Sequence, residues 1–199
     1  MNKKGLIFII AGLLFIMAAL ALFVYNTVQS ENAGTSSQRI VASLKEQIAK
    51  ESESAAELPT DNPDRVMPAL TVEGERYVGI LSIPALDLTL PVGEWFSDDS
   101  IQVTPCLYSG SIYKRDMVIG AHNYDAHFGR ISTLGIGDEV KFTDAEGHEF
   151  DCEVVNIETL RPEQTEELTV KKSKNDWDIS LFTCNYSGSE RVTVRCAIR

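Results

Sequence analysis

The chain begins with one long apolar run. Residues 5–25 include no charged side chain, and these 21 residues would rise about 31 Å as an α-helix, close to the roughly 30 Å apolar core of a bilayer. Lys3 and Lys4 precede the run, and no acidic residue occurs before Glu31. Because basic flanks favour the cytoplasmic side, the pattern predicts a single-pass anchor in the plasma membrane, with everything after Tyr25 outside the cell.

A cleaved signal peptide is the alternative explanation of this run. Such a peptide has an apolar region of about 7 to 15 residues that ends in a cleavage site with small residues. The run at 5–25 is longer, and residues 26–30 (Asn-Thr-Val-Gln-Ser) make a poor cleavage site. The sequence therefore favours a retained anchor.

Helical periodicity follows the apolar run. Within residues 37–58, apolar side chains recur at the spacing of one helix face: Ile40, Val41, Leu44 and Ile48. Three roles for this stripe remain open: packing on a folded domain, pairing with a second copy of the chain, or no contact at all in an exposed stalk. A stalk is the simplest of them, and residues 51–65 have the Ser, Ala, Glu, Asp and Pro content of a linker.

Short apolar or alternating runs replace this periodicity from residue 76 onward. Gly, Pro, Asn and Asp separate the runs, as turns separate strands, and residues 144–147 (Asp-Ala-Glu-Gly) form a hairpin signal. Seven or eight short strands with few long helical patterns predict an all-β domain, either a closed barrel or a sandwich. The predicted strands are 77–83, 86–92, 117–121, 139–143, 148–160, 178–184 and 191–198.

Composition and charge narrow the classes of function. A chain of 199 residues that is 44% hydrophobic can hold one domain with a sizeable core. Its formal net charge is −11, which becomes −13 when the cytoplasmic Lys3 and Lys4 are set aside. Such a surface repels phosphate backbones, so nucleic acid is excluded as a partner.

Cysteine and histidine spacing disfavours a structural metal site. No cysteine pair has C-x-x-C spacing, and the chain has three histidines, so a zinc site is not predicted. Two disulfides remain open in an oxidising compartment. Alternation along 191–198 places Cys196 on the face opposite Arg191 and Arg195, where it is expected to be buried. The cysteines are Cys106, Cys152, Cys184 and Cys196.

A thiol and a guanidinium flank one predicted turn. Cys184 ends the run 178–184, and Arg191 opens the next. A cysteine at the end of a strand is accessible, and a nearby cation favours its thiolate, which is the nucleophilic species. An inert buried cysteine in an ordinary hairpin is the simpler explanation of this stretch taken alone, so a partner base has to come from elsewhere.

His122 is the candidate base, since it directly follows the apolar run 117–121. Reactive side chains at two strand ends can meet at one rim of a barrel. A histidine can then exchange protons with a substrate amine while the thiol attacks a carbonyl. Arg191 can only donate hydrogen bonds, to a substrate carbonyl or an oxyanion.

The other histidines fit the role less well. His127 lies in the polar loop 124–128 and is expected to orient that loop, whereas His148 follows a hairpin turn and is expected to be solvated. Asp125 is open to two interpretations, one as a carboxylate that steers an imidazole and one as a loop cap.

These pieces, in this order and behind an anchor, resemble the sortase family of membrane-anchored cysteine transpeptidases from Gram-positive surfaces. The resemblance covers about residues 74–199. It implies a closed eight-stranded β-barrel with short helices, preceded by the membrane helix and a helical stalk. The motifs that carry it are Tyr77-Val78-Gly79-Ile80-Leu81-Ser82-Ile83-Pro84, Leu90-Pro91-Val92, Ile119-Gly120-Ala121-His122-Asn123, Leu134-Gly135-Ile136-Gly137-Asp138, Leu181-Phe182-Thr183-Cys184 and Arg191-Val192-Thr193-Val194-Arg195.

The resemblance also implies a reaction. Cys184 would cut a C-terminal sorting motif of Leu-Pro-x-Thr-Gly type after its threonine and form a thioacyl enzyme, assisted by His122 and Arg191. An amine from a cell-wall peptide or a pilin lysine would then release the product. Thr183 and Ala121, which precede the nucleophile and the histidine, are expected to contact the sorting peptide of a surface protein or pilin.

The sequence departs from the family pattern at some positions. Many members have glycine where Ala121 stands, and the short loop 185–190 fits a class A-like or class D-like barrel. Arg195, on the same strand face as Arg191, is an alternative for the arginine role.

No cofactor is predicted apart from calcium, which some members bind through acidic loops. A solvated charged loop is the preferred explanation of the acidic residues concerned, Glu163, Glu166 and Glu167.

Two other functions remain open beside the transpeptidase. One is a cysteine peptidase that uses water as acceptor, and the other is an anchored barrel that binds without catalysis, with Cys184 oxidised or buried. Loops 95–113 and 160–177 are expected to shape the substrate pocket. The predicted organisation is a cytoplasmic tail at 1–4, an anchor at 5–25, a partly helical stalk and linker at 26–73 and the catalytic domain at 74–199.

Overall fold

The computed structural model describes residues 3–52, 62–171, 176–185 and 187–199. One long helix, α1 (Lys3–Ser52), precedes a β-sheet domain that also includes two short helices, α2 (Ser100–Val103) and α3 (Thr165–Thr169). The nine strands are β1 (Leu70–Val72), β2 (Glu75–Ile83), β3 (Leu88–Gly93), β4 (Cys106–Ser109), β5 (Met117–Gly120), β6 (Glu139–Asp144), β7 (Glu149–Leu160), β8 (Ile179–Cys184) and β9 (Arg191–Ile198).

Eight of these strands close into a barrel. They lie in the order β2-β3-β4-β5-β8-β9-β7-β6, and pairing of β6 with β2 completes the circle. The pairs β3–β4 and β5–β8 are parallel and the others antiparallel. The predicted eight-stranded barrel is therefore confirmed, and β1 is a ninth strand that extends the sheet beside the start of β2.

Alternation along each strand sorts side chains into an inner and an outer face of the barrel wall. In β8, Ile179 and Leu181 belong to the central core together with Val194 and Cys196 of β9. Phe182 instead packs on the outside, in a separate cluster beside α3. The prediction that Cys196 is buried is confirmed, and Cys184 and Arg191 share the outer face with Phe182 by the same alternation.

The second half of α1 packs on the barrel. Its stripe of Ile40, Val41, Leu44 and Ile48 is buried against Val72, Tyr77 and Ile80 of β1 and β2. Each such side chain gains about 1.5–3 kcal/mol when it leaves water, which explains why this stretch does not stand clear as a stalk. Of the three uses left open by the sequence, the structure shows packing on the folded domain.

The apolar first part of α1 is not packed against any other part of the chain that the structure describes. Residues 5–25 lie within a helix that is long and apolar enough to cross a membrane, and its apolar window is 0% buried. The predicted linker at 51–65 falls largely on residues 53–61, which lie outside the described residues.

Candidate active site

Three strand ends bring the predicted site residues together. Cys184, the last residue of β8, lies directly opposite Arg191, the first residue of β9. In the parallel pair β5–β8, Gly120 is level with Phe182, and the amide of Ala121 still donates to the carbonyl of Phe182 at 3.2 Å. His122 is therefore level with Cys184, and alternation places it on the same outer face.

All three side chains line one cleft. This cavity of about 280 Å³ lies on the outer face of the wall, between the loop before β4 and the segment from β7 to α3. Both loops that were expected to shape a pocket therefore line it. The remaining lining residues are Phe96, Asp98, Ile101, Tyr108, Ala121, Leu160, Arg161, Pro162, Gln164, Thr165, Leu168 and Phe182.

Aromatic rings form the floor of the cleft. Tyr108 meets Phe96 and Phe182 edge to face, with ring centroids 5.0 and 5.2 Å apart, and Phe96 stacks on Phe182 at 6.0 Å. Gly120 makes this packing fit, because a Cβ there would lie 2.6 Å from ring atoms of both phenylalanines. The result is an apolar surface directly beside the thiol.

Cys184 is the accessible thiol. It is free and half-buried, whereas Cys106, Cys152 and Cys196 are free and fully buried. Burial raises the pKa of Cys152 to about 12 and also raises the pKa of Cys106 and Cys196, so these three thiols stay protonated. The disulfides left open by the sequence are not formed, and the chemistry expected of a thiolate is left to Cys184.

His122 is half-buried beside a tyrosine. Its ring lies 5.1 Å from that of Tyr124, with 33° between the planes. Burial lowers the pKa of His122, and the carboxylate of Asp98 acts in the opposite direction. An imidazole with a lowered pKa gives up its proton more readily than an exposed one, which suits a group that protonates a leaving amine.

The two outer-face arginines of β9 have different surroundings. Arg191 Nη1 is buried and has no hydrogen-bond partner among the described residues. Arg195 is fully engaged: it donates to Glu158, Ser180 and the carbonyl oxygens of Glu167 and Leu168, and its guanidinium lies 4.7 Å from the Trp177 ring centroid. Arg195, the alternative for the arginine role, therefore stabilises the wall, and of the two β9 arginines Arg191 is the one that lines the cleft.

The family model for the Sortase domain matches residues 81–199. The chain belongs to the sortase family. No curated protein matches it in sequence.

Solved sortase structures resemble the whole domain. A Clostridium perfringens sortase D5 transpeptidase matches with a TM-score of 0.61 at 17% identity, over 83% of this chain and 99% of that one. Sortase C from Streptococcus pneumoniae matches with 0.64 at 19% identity, over 81% and 96%. Clostridium perfringens sortase C with the C-terminal cell wall sorting motif matches with 0.54 at 22%, over 81% and 90%. The likeness spans sortase classes and concerns the shared fold.

Thr183 and Ala121 tie the two halves of the sortase site together. The Thr183 hydroxyl donates to the carbonyl oxygen of Ala121 at 2.8 Å, so it links the strand of Cys184 to the segment of His122. Thr183 borders a second cavity of about 210 Å³ that also touches Cys184, whereas Ala121 lines the cleft shared by Cys184, His122 and Arg191. Their expected contact with a sorting peptide stays a prediction.

The other two histidines of this sortase pack against the fold and lie outside the cleft. His127 is fully buried, with Nε2 3.4 Å from Ser37 Oγ of α1, and burial and the neighbouring His122 lower its pKa to about 4. It does not line the cleft. The expectation that His148 is solvated is wrong, because its Nδ1 lies 2.9 Å from the buried carboxylate of Asp144, which also accepts from the Tyr113 hydroxyl.

The acidic residues considered for calcium do not form a site. Glu166 and Glu167 lie in the first turn of α3. Among the described residues, no group of three or more His, Cys, Asp or Glu side chains is arranged to hold a metal ion.

Sequence reasoning missed several residues of the sortase cleft. Phe96, Asp98 and Tyr108 come from the segment between β3 and β5, and they were anticipated only as part of a loop. No periodicity distinguishes them, because their position depends on how this loop folds over β5 and β8. The available signal was Gly120, a glycine in the apolar run just before His122, because a glycine at such a position indicates that a large side chain packs against the backbone.

Proposed function

We propose that this chain is a membrane-anchored transpeptidase that cleaves a sorting motif of Leu-Pro-x-Thr-Gly type and transfers the protein to an amine. The observation that carries the proposal is the convergence of Cys184, His122 and Arg191 on one cleft, with Arg191 Nη1 free to donate. A thiol, a proton carrier and an unsatisfied cationic donor are the three groups that acyl transfer needs.

The first step forms the thioacyl enzyme. The Cys184 thiolate attacks the carbonyl carbon of the motif threonine, and a C–S bond forms while the carbonyl electrons move to oxygen. Arg191 donates to this oxyanion from a buried position, where a charged hydrogen bond is stronger than in water. The threonine–glycine C–N bond then breaks, and the His122 imidazolium protonates the departing amine.

The second step reverses these roles. An acceptor amine attacks the thioester carbon, and neutral His122 takes up its proton. The C–S bond breaks, the new amide leaves, and Cys184 returns as the thiolate. Water in place of the amine would give the acid instead, so the ratio of amide to acid measures the second step and separates a transpeptidase from a peptidase.

The cleft suits an extended peptide with apolar side chains. Phe96, Tyr108 and Phe182 offer an aromatic floor beside Cys184, and such a surface accepts the leucine and proline of a sorting motif. The Clostridium perfringens sortase C noted above was solved with a C-terminal cell wall sorting motif, and the Streptococcus pneumoniae sortase C acts on pilins. These relatives support a surface protein or pilin as substrate and a cell-wall peptide or pilin lysine as acceptor.

The apolar first part of α1 supports a reaction outside the cell. The apolar window of α1 is 0% buried, and Lys3 and Lys4 precede it. We infer that residues 5–25 cross the plasma membrane with the barrel on the extracytoplasmic side.

A peptide assay tests the proposal. The full chain in detergent is incubated with a library of Leu-Pro-x-Thr-Gly peptides and with glycine, diaminopimelate or lysine amides as acceptors. We expect an acyl adduct on Cys184 by mass spectrometry, and amide products that increase with acceptor concentration at the expense of acid. If no peptide of the library is cleaved, or if cleavage leaves Cys184 unmodified throughout, the proposed mechanism is wrong.

A further inference from the structure

Just after its apolar run, helix α1 contacts both of the loops that flank the cleft. Ser30 Oγ accepts from the amide of Ala126 at 3.5 Å, and a Cβ on Gly34 would lie 3.1 Å from the Cβ of Ala126. One turn further on, the Ser37 hydroxyl donates to the carbonyl oxygen of Val103 at 3.2 Å. Ala126 follows His122 in one loop and Val103 ends α2 in the other, so α1 touches the two segments that flank the site.

These contacts continue as far as the catalytic histidine. Ser37 lies against His127, the His127 ring is 5.7 Å from that of Tyr124, and Tyr124 is 5.1 Å from His122. His127 and Ser37 are both fully buried. The helix is therefore packed into the loop that bears His122 and does not merely lie beside it.

The helix also fixes the distance between this loop and the apolar run. α1 is continuous from Lys3 to Ser52, and Tyr25, the last residue of the run, precedes Ser30 by five residues, or about 7.5 Å of rise. The contacts with β1 and β2 come later along the helix, from Ile40 onward. Among these contacts, those with the loops around Val103 and Ala126, which form the active-site rim, are thus the nearest to the apolar run.

Charge alone would not hold the rim at a membrane. Asp98, Asp99 and Asp125 are exposed there, and carboxylates are repelled by anionic lipid. Trp95 and Val103, which are 71% and 42% exposed, are of the apolar kind that an interface accepts. The mechanical connection through α1 must therefore determine the position of the rim.

We propose that α1 is a rigid spacer that holds the catalytic rim against the lipid surface from which the chain emerges, so that the bilayer itself is the partner of this rim. The inference rests on the anchor of the proposed function. It has a consequence for the substrate: the cleavable bond must lie within a short distance of the membrane, because the docked helix leaves the cleft little freedom to move away from it.

Energy transfer to labelled lipid tests the geometry without any substrate. The full chain with Cys184→Ala is inserted into phosphatidylcholine vesicles that hold a headgroup acceptor, and a donor dye is attached at Asp125→Cys on the rim. The matched control has the dye at Ala85→Cys, an exposed site at the other end of β2 and β3. The remaining cysteines are fully buried and do not take up dye in the folded protein.

Asp125→Cys should transfer energy about twofold more efficiently than Ala85→Cys, since the length of β3 alone separates the two ends by about 20 Å. Insertion of eighteen helix-forming residues after Asn26 adds about 27 Å and five whole turns, which keeps the facing of α1 and should sharply reduce transfer from residue 125. Equal transfer from both sites, or no loss on insertion, overturns the spacer. Failure of the chain to join vesicles overturns the anchor as well. Neither result bears on the proposed reaction, which is tested separately by cleavage of soluble peptides with Cys184 intact.

Discussion

The two ends of the outer face of β8 and β9 use similar residues for opposite purposes. At the upper end Cys184 faces Arg191, and at the lower end, four residues earlier in β8 and about 13 Å away, Ser180 faces Arg195. Arg195 is buried with every guanidinium nitrogen bonded, whereas Arg191 retains a buried nitrogen without a partner among the described residues. A saturated arginine stabilises a fold, and an unsatisfied one in a cleft is available to a substrate.

The largest effect is expected from the upper thiol. Cys184→Ala removes the nucleophile, so kcat/KM for a sorting peptide should fall at least about 10⁴-fold while the unfolding midpoint changes little. Cys196→Ala is the matched control, because this thiol is fully buried in the barrel core. It should retain cleavage and lose about 1–2 kcal/mol of unfolding free energy in urea. Substantial cleavage by Cys184→Ala would contradict the proposed mechanism.

Matched substitutions at the two arginines follow in size. Arg191→Met should lower kcat by about 10²–10³-fold, the cost of losing one oxyanion donor, with a small change in stability. Arg195→Met should lower the unfolding free energy by about 2–5 kcal/mol, because the Ser180 hydroxyl and the carbonyl oxygen of Leu168 lose their buried donor, at about 1–3 kcal/mol each. Peptide kinetics and urea unfolding on both variants separate the two effects. If the two variants had the same kinetics and the same stability, the proposed difference between Arg191 and Arg195 would be wrong.

The cleft floor lies between these ends and should respond more weakly. In Gly120→Ala the new Cβ would meet Phe96 and Phe182 ring atoms at 2.6 Å, so the rings must move, at a cost of about 1–3 kcal/mol. KM for the peptide should increase more than kcat falls. Gly135→Ala is the control, because its nearest neighbour, an Asp138 carboxylate oxygen, lies 3.8 Å away. A Gly120→Ala enzyme with unchanged KM would show that the aromatic floor does not bind the peptide.

Much of this arrangement was predictable because it follows strand ends. Cys184, His122 and Arg191 each stand where an apolar run begins or stops, and strand alternation then places them on one face. Seven of the strands were predicted because turn residues mark where their apolar or alternating runs begin and end. Strand β4 was missed because its four residues, Cys-Leu-Tyr-Ser, lie between Pro105 and Gly110 and lack the continuous apolar run that marks the equally short β5.

The features that the sequence did not predict depend on contacts between distant segments. The stripe on α1 indicated an apolar face but not its partner, which is supplied by β1 and β2. His148 is a local exception: it follows a turn that is typical of the surface, but the Asp144 carboxylate four residues earlier is itself buried in the barrel and holds the imidazole against the fold. Saturation of Arg195 likewise requires the backbone of α3, so Arg191 and Arg195 remain indistinguishable until the barrel is assembled.

The smallest predicted effect concerns the pKa of His122, which lies at the same end as Cys184. Asp98 lines the cleft and raises the pKa of His122 against the lowering effect of burial, so Asp98→Asn should lower that pKa. The limb of the pH profile of kcat/KM that reports His122 should then move to lower pH, by less than about one unit, because Asp98 is exposed and screened by salt. Asp99→Asn is the control, since Asp99 is a neighbouring exposed carboxylate that does not line the cleft. Equal shifts in both variants would indicate general surface charge, whereas a shift in Asp98→Asn alone would show that the cleft carboxylate sets the acidity of His122.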